Sequence, residues 1–267
     1  MIYISAGMPR SGSRTYYSQL FELMIATGLP SAGDLRQKFG SRLPPRSLER
    51  FHLRKLLRFD QLSGESGVII PVHTHVAPSM SIRYFLSNGR AKATYMFRDP
   101  RDVIVSALER GKILREQGNV QRMFGIGPYK TFARLKTLSG AVRWIQMQQY
   151  PRWKRWRQID NVLMARYEDN ITDMRGTLQR LAEYFELSVT DMQINTIVDQ
   201  MSKKGQDKSA SLPNKGKPAG TMKSTVGGGA LLNKGVIGRH RDVWSQIEQD
   251  MVNDRLGKII EAMGYQV

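Results

Sequence analysis

The chain has 267 residues, 40% of them hydrophobic, long enough for a large α/β domain with a substantial core. It contains no cysteine, which excludes disulfides, thiolate metal sites and cysteine nucleophiles together. Lys and Arg number 41 against 23 Asp and Glu, a net charge of +18 that draws anionic molecules and says nothing about fold.

Met1 to Ala6 reads as an apolar strand. Gly7-Met8-Pro9-Arg10-Ser11-Gly12-Ser13-Arg14 then leads into a helical pattern over 15–27, with Leu20, Leu23 and Met24 on its apolar side and an end near Gly28 and Pro30. A strand, a glycine-bounded loop and a helix start make an anion cradle. Loop N–H groups and the unpaired N–H groups of the first helical turn converge there, and the helix dipole adds about half a positive charge. The loop is not a Walker A sequence, because Gly12 is followed by Ser13 and Arg14 rather than by Lys and then Ser or Thr. The cation stands earlier, at Arg10.

Residues 34–59 are basic and read as two helical pieces broken at Pro44-Pro45, either a solvated face or an acceptor-binding or surface-docking element. A buried strand is expected over Val68 to Val72, a helix over Ala77 to Ser87 and a strand over Ala91 to Phe97. Asp99 and Pro100 mark the N-cap and first position of a helix to Gln117. A helix over 139–158, a strand over Asn161 to Arg166, helices over Asp173 to Phe185 and Thr190 to Met201, and a tail helix over Val243 to Met263 complete the series. Residues 203–234 turn to Gly, Lys, Ser and Pro, either a flexible linker or a lid that orders over an anionic ligand.

Alternating strands and helices predict a single domain over 1–267, a three-layer α/β/α fold with a central parallel sheet. Right-handed crossovers then bring every strand-to-helix loop to one sheet edge. No run reaches the ~18 consecutive apolar residues of a membrane span. The first strand begins at Met1 with no basic stretch ahead of it, so the expected location is cytoplasmic.

The segment Arg98-Asp99-Pro100 delivers a second cation and a second helix start to that same edge. Two anion features on one edge imply a ligand with two separated anionic groups. Ser106, two helical turns further on, either reaches back toward that anion or is an ordinary helix-surface serine.

With these residues in hand, the chain resembles the sulfotransferases that use 3'-phosphoadenosine 5'-phosphosulfate (PAPS), which share a P-loop-NTPase-like fold. Pro9-Arg10-Ser11-Gly12-Ser13 is similar to the family's 5'-phosphosulfate loop, and Arg98 with Ser106 to its 3'-phosphate pair eight residues apart. Arg166-Tyr167-Glu168-Asp169 resembles a strand-end Tyr-Glu-Asp segment, and Lys234-Gly235-Val236-Ile237-Gly238 the late Lys-Gly-x-x-Gly element. The resemblance implies a nucleotide site of Pro9, Arg10, Ser11, Gly12, Ser13, Arg14, Thr15, Arg98, Ser106, Tyr167, Lys234 and Gly235, with adenosine 3',5'-bisphosphate (PAP) as product and no metal. Three positions depart from the pattern. Arg14 stands where a small hydroxyl residue is commoner, Thr15 where many members have an adenine-stacking Trp, and Asn233 where an Arg often precedes the Lys.

His73-Thr74-His75 is similar to the family's Lys-Thr-His segment, which makes His75 the general base for in-line transfer, with Arg10 neutralising charge on the departing oxygen. A histidine suits that task near neutral pH. The pair could also be metal ligands, since residues i and i+2 of a strand share a face, or plain structural histidines. Glu65 and Asp60 are carboxylate alternatives for the base. The sequence leaves the class of acceptor open among a carbohydrate, a lipid and a small alcohol. Pro151-Arg152-Trp153-Lys154-Arg155-Trp156-Arg157 suits an anionic surface or a sugar if its tryptophans are exposed, and a helix end if they are core. Two other readings compete: a P-loop kinase of nucleotides or small molecules, and a basic nucleic-acid-binding protein. The second leaves the Arg98 and Ser106 spacing unexplained, so no specific nucleic-acid partner is expected.

Overall fold

Four strands, β1 (Ile2–Gly7), β2 (Ile70–Thr74), β3 (Ala91–Phe97) and β4 (Val162–Arg166), form a wholly parallel sheet in the order β2-β1-β3-β4. The computed structural model describes residues 1–30, 32–40, 53–116, 128–210 and 236–267. The helices among them are α1 (Ser13–Ala26), α2 (Ala32–Phe39), α3 (Leu53–Ser66), α4 (Met80–Ser87), α5 (Pro100–Glu116), α6 (Pro128–Arg134) and α7 (Leu138–Trp144). They continue with α8 (Tyr150–Arg157), α9 (Tyr167–Thr172), α10 (Met174–Phe185), α11 (Asp191–Ala210), α12 (His240–Val243) and α13 (Gln246–Ala262). None of the described helices is long and apolar enough to cross a membrane.

The sheet is covered on both faces, as a parallel sheet must be. Ile2, Ile4 and Ala6 of β1 point into one core with α3, α4, α5, α7, α8 and α13, while Tyr3 enters a second core with Leu20 and Leu23 of α1 and Leu178 and Leu181 of α10. The alternation along β1 therefore builds the three layers directly.

Local chemistry sets the ends of these elements. Asp99 Oδ1 accepts the N–H of Arg101 at 2.9 Å and caps α5 as its position before Pro100 predicts. Ser79, Thr137 and Asp173 cap α4, α7 and α10 in the same way, and Ser245 with Glu248 forms a capping box at α13.

Several expectations move. The helix expected over 139–158 is interrupted by a π-turn, Ile145–Gln149, just ahead of Pro151, whose missing N–H removes a helical bond. The strand expected over 68–72 begins and ends two residues later, which places His73 and Thr74 within it. Of the two basic pieces, α2 ends at Phe39 and α3 runs on to Ser66, while the Pro44-Pro45 break lies outside the described residues. Strand β4 ends at Arg166 as expected, and Tyr167 then opens α9, a short helix that the apolar pattern gave no sign of. The expected linker or lid over 203–234 is helical in its first part, since α11 continues to Ala210; residues 211–234 lie outside the described chain.

Candidate active site

The register brings the C-terminal ends of all four strands together: Gly7 lies beside Met96, Ala6 beside Thr74, and Phe97 beside Arg166. One step beyond each flanking strand stands a candidate residue, His75 after β2, Arg98 after β3 and Tyr167 after β4. The loop from Gly7 to Gly12 follows the central strand. This is the edge on which open α/β sheets place their ligands.

The loop is held tightly. Ser11 Oγ donates to the carbonyls of Met8 at 2.6 Å and Met96 at 2.9 Å, so its hydroxyl is committed to shaping the backbone. Arg10 and Gly12 both adopt left-handed backbone, φ 73° and 79°. A Cβ at Gly12 would come within 2.7 Å of the Tyr167 ring, and one at Gly7 within 2.9 Å of the Met96 carbonyl. Only glycine lets these segments approach so closely.

Arg10 Nε donates to Ser106 Oγ at 2.8 Å, and Ser106 is buried against the loop, so it is not a helix-surface serine. Arg98 is 2% exposed, lies over the Tyr167 ring at 4.2 Å, and donates from Nη2 to Asp102 at 2.9 Å and to the Val236 carbonyl at 2.8 Å. Its Nε is buried without a hydrogen-bond partner. Such an orphan is costly unless something outside the chain satisfies it.

Asp102 was not foreseen, although its place in the first turn of α5, four residues after Arg98, is a readable signal. Burial alone would raise its carboxyl, but hydrogen bonds from His240 and the Arg98 charge bring it down to about 2. Lys234 and Gly235 lie outside the described residues. Val236, next in the chain, reaches Arg98 through its carbonyl.

His75 Nδ1 meets the Gly7 carbonyl at 2.7 Å. A carbonyl only accepts, so Nδ1 carries the proton and Nε2 keeps its lone pair. Burial, aided by the neighbouring charges of Arg14 and Arg152, lowers His75 to about 4 despite that hydrogen bond. His73 is buried, shares a 3.2 Å hydrogen bond with Ser13 Oγ, packs edge-on to His75, and is lowered by the same burial. Arg152 donates to the His75 carbonyl at 3.3 Å, and Trp156 Nε1 to the Val76 carbonyl at 2.9 Å, so α8 holds the segment in place. Among the described residues, no three of His, Asp and Glu gather as metal ligands would. Arg14 is exposed and Thr15 half-buried at the start of α1.

The carboxylate alternatives for the base sit elsewhere. Asp60 pairs with Arg90, which precedes β3, and Glu65 with Gln61 near the end of α3, so both lie at the opposite edge of the sheet. Trp153 and Trp156 are 3% and 0% exposed, packed on Phe97 and Tyr95. They are core, and the surface-binding reading of 151–157 loses its aromatic component.

A sequence profile described as the sulfotransferase domain matches residues 3–252. The chain belongs to the sulfotransferase domain family. Human sulfotransferase 6B1 is 24% identical over 173 residues, covering 62% of the chain and 50% of the relative, so the chain spans about half the length of the curated relative it matches. A mouse sulfotransferase solved in complex with PAP superposes with a TM-score of 0.56 at 18% identity, covering 98% of this chain and 88% of that one. Retinol dehydratase in complex with retinol and PAP gives 0.53 at 14% identity, covering 96% and 80%. These likenesses establish the fold of this sulfotransferase-family chain.

Proposed function

We propose that the chain is a cytoplasmic enzyme that moves the sulfuryl group of PAPS to a hydroxyl or amine of an acceptor, with His75 as general base. The observation that carries this reading is the Arg10–Ser106 hydrogen bond, which joins the two anion features of the sheet edge into one site beside His75. The residues suit a nucleotide with two anionic ends. A glycine-bounded cradle too narrow for a Cβ stands at one end, and the buried, unpartnered Nε of Arg98 at the other.

PAPS supplies an activated sulfuryl group on a phosphate leaving group. Pro9 to Thr15 would hold that end through loop N–H groups, the dipole of α1 and the charges of Arg10 and Arg14. Arg98, Ser106 and Tyr167 would hold the 3'-phosphate, with Lys234 and Gly235 joining from the chain before Val236. His75 accepts the acceptor's proton at Nε2, oriented for that role by its Nδ1–H to Gly7. A neighbouring anion favours imidazolium and so opposes the fall in the basicity of His75. Arg10 stabilises negative charge as it grows on the bridging oxygen, a matter of preorganised charge and positioning. The related retinol dehydratase holds retinol together with PAP, which supports a small hydroxyl acceptor for this chain too.

The test is acceptor-dependent conversion of PAPS to PAP across a panel of alcohols and amines, run beside His75→Asn. Formation of PAP that the substitution abolishes supports the proposal. Equal formation by both proteins rules out His75 as the base.

A further inference from the structure

Asp102 is the junction between α5 and the segment that leads into α12. Its side chain is fully buried, a placement that carries a large desolvation cost unless every lone pair is used. Oδ2 accepts from Arg98 Nη2 at 2.9 Å and from the Gly238 N–H at 2.9 Å; Oδ1 accepts from the His240 N–H at 3.1 Å and from His240 Nδ1 at 2.9 Å. His240 is itself buried and packs on Trp244. Three of these four bonds come from Gly238 and His240, and Val236, two residues before Gly238, accepts at its carbonyl from Arg98 Nη2 at 2.8 Å.

The plane of the Arg98 guanidinium is thus fixed by three things: the Tyr167 ring beneath it, Asp102 on α5, and Val236 from the late segment. Two of the three depend on where 236–240 lies. His240 contributes the side-chain bond that fastens that segment. Arg239 adds an ion pair with Glu109 one residue earlier, but on the partly exposed side of α5.

We infer that His240 is a positioning residue for Arg98: by donating Nδ1–H to Asp102 it seats residues 236–240 so that the unpartnered Nε edge of Arg98 is aimed for a phosphate. This rests on the reading of Arg98 as a 3'-phosphate ligand. It assigns to the pair a role in selecting nucleotides that carry a 3'-phosphate, beyond holding the chain together. A side chain that can place an N–H donor at the same point should replace it, whereas an apolar side chain of similar bulk should not.

The test is calorimetric titration of the full chain with PAP and with ADP, which differ in where the second phosphate sits. In His240→Leu, affinity for PAP should fall about tenfold, ~1.4 kcal/mol, with ADP unchanged. In His240→Asn, whose side-chain N–H can take the place of Nδ1–H, selectivity for PAP should return toward that of the parent. Should the leucine variant not fold, His240→Phe carries the same comparison. Equal losses for PAP and ADP, or no loss for either, would overturn the positioning role while leaving Arg98 intact as a ligand. A parent protein that does not distinguish PAP from ADP would instead overturn the reading of Arg98 itself, and this inference with it.

Discussion

Arg10 and Ser106 stand 96 residues apart in the chain and share a hydrogen bond of 2.8 Å. The bond ties the loop after the central strand to the second turn-pair of α5, the helix that Arg98 introduces. Arg10 reaches it from left-handed backbone, a conformation that costs a non-glycine residue about 1 kcal/mol or more. Strain held at a loop of this kind has a measurable signature. Arg10→Gly should be more stable than Arg10→Ala by about 1 kcal/mol and melt at a higher temperature, because both lose the side chain and only glycine relieves the backbone. Thermal melts of the two variants, with PAP titrations showing that both bind weakly, check this; equal stability would remove the strain from the account.

Arg98→Ala should weaken PAP by about tenfold or more while changing ADP little, since a buried charged donor lost from an anion site costs ~1.5–3 kcal/mol. Calorimetry gives both numbers. Parallel losses would mean that Arg98 only supports the fold through Asp102.

His75→Asn keeps a donor for the Gly7 carbonyl but removes the base. Turnover should fall about 100- to 10,000-fold with PAP affinity preserved. For the parent protein, kcat/KM should hold nearly constant as pH falls from 7 and decline only as it approaches the His75 value of about 4. A limb near 6.5 would point to a different, unperturbed base.

Stability should depend on pH with a definite sign. His73 and His75 are both lowered in the folded chain, so between about 4 and 6.5 the unfolded chain binds more protons. Their contribution is therefore present above 6.5 and is lost as pH falls below it. The melting temperature should drop between pH 7 and 5, and the drop should shrink in His73→Gln. An identical drop in the variant would remove His73 from this linkage.

Much of this site could be read from the sequence because its signals are local. The Gly7 to Arg14 loop, the Asp99-Pro100 helix start and the strand-end positions of Arg98 and His75 each depend on a few neighbouring residues, and the parallel sheet brings them to one edge. What escaped depends on distant partners. Nothing near Asp102 announces His240, 138 residues later, as the other half of its pair. Trp153 and Trp156 look amphipathic among four cations and become core only because Tyr95 and Phe97 of β3 lie beneath them. Helix α11 outruns its apolar periodicity, since the polar residues after Met201 mark no end.

The most direct measurement is a metal-free titration of the chain with PAP, set beside ATP with Mg²⁺ and a short oligonucleotide. The sulfotransferase account predicts tight, selective binding and thermal stabilisation by PAP alone. Preference for ATP with Mg²⁺, or for the oligonucleotide with a steep dependence on salt, would contradict it.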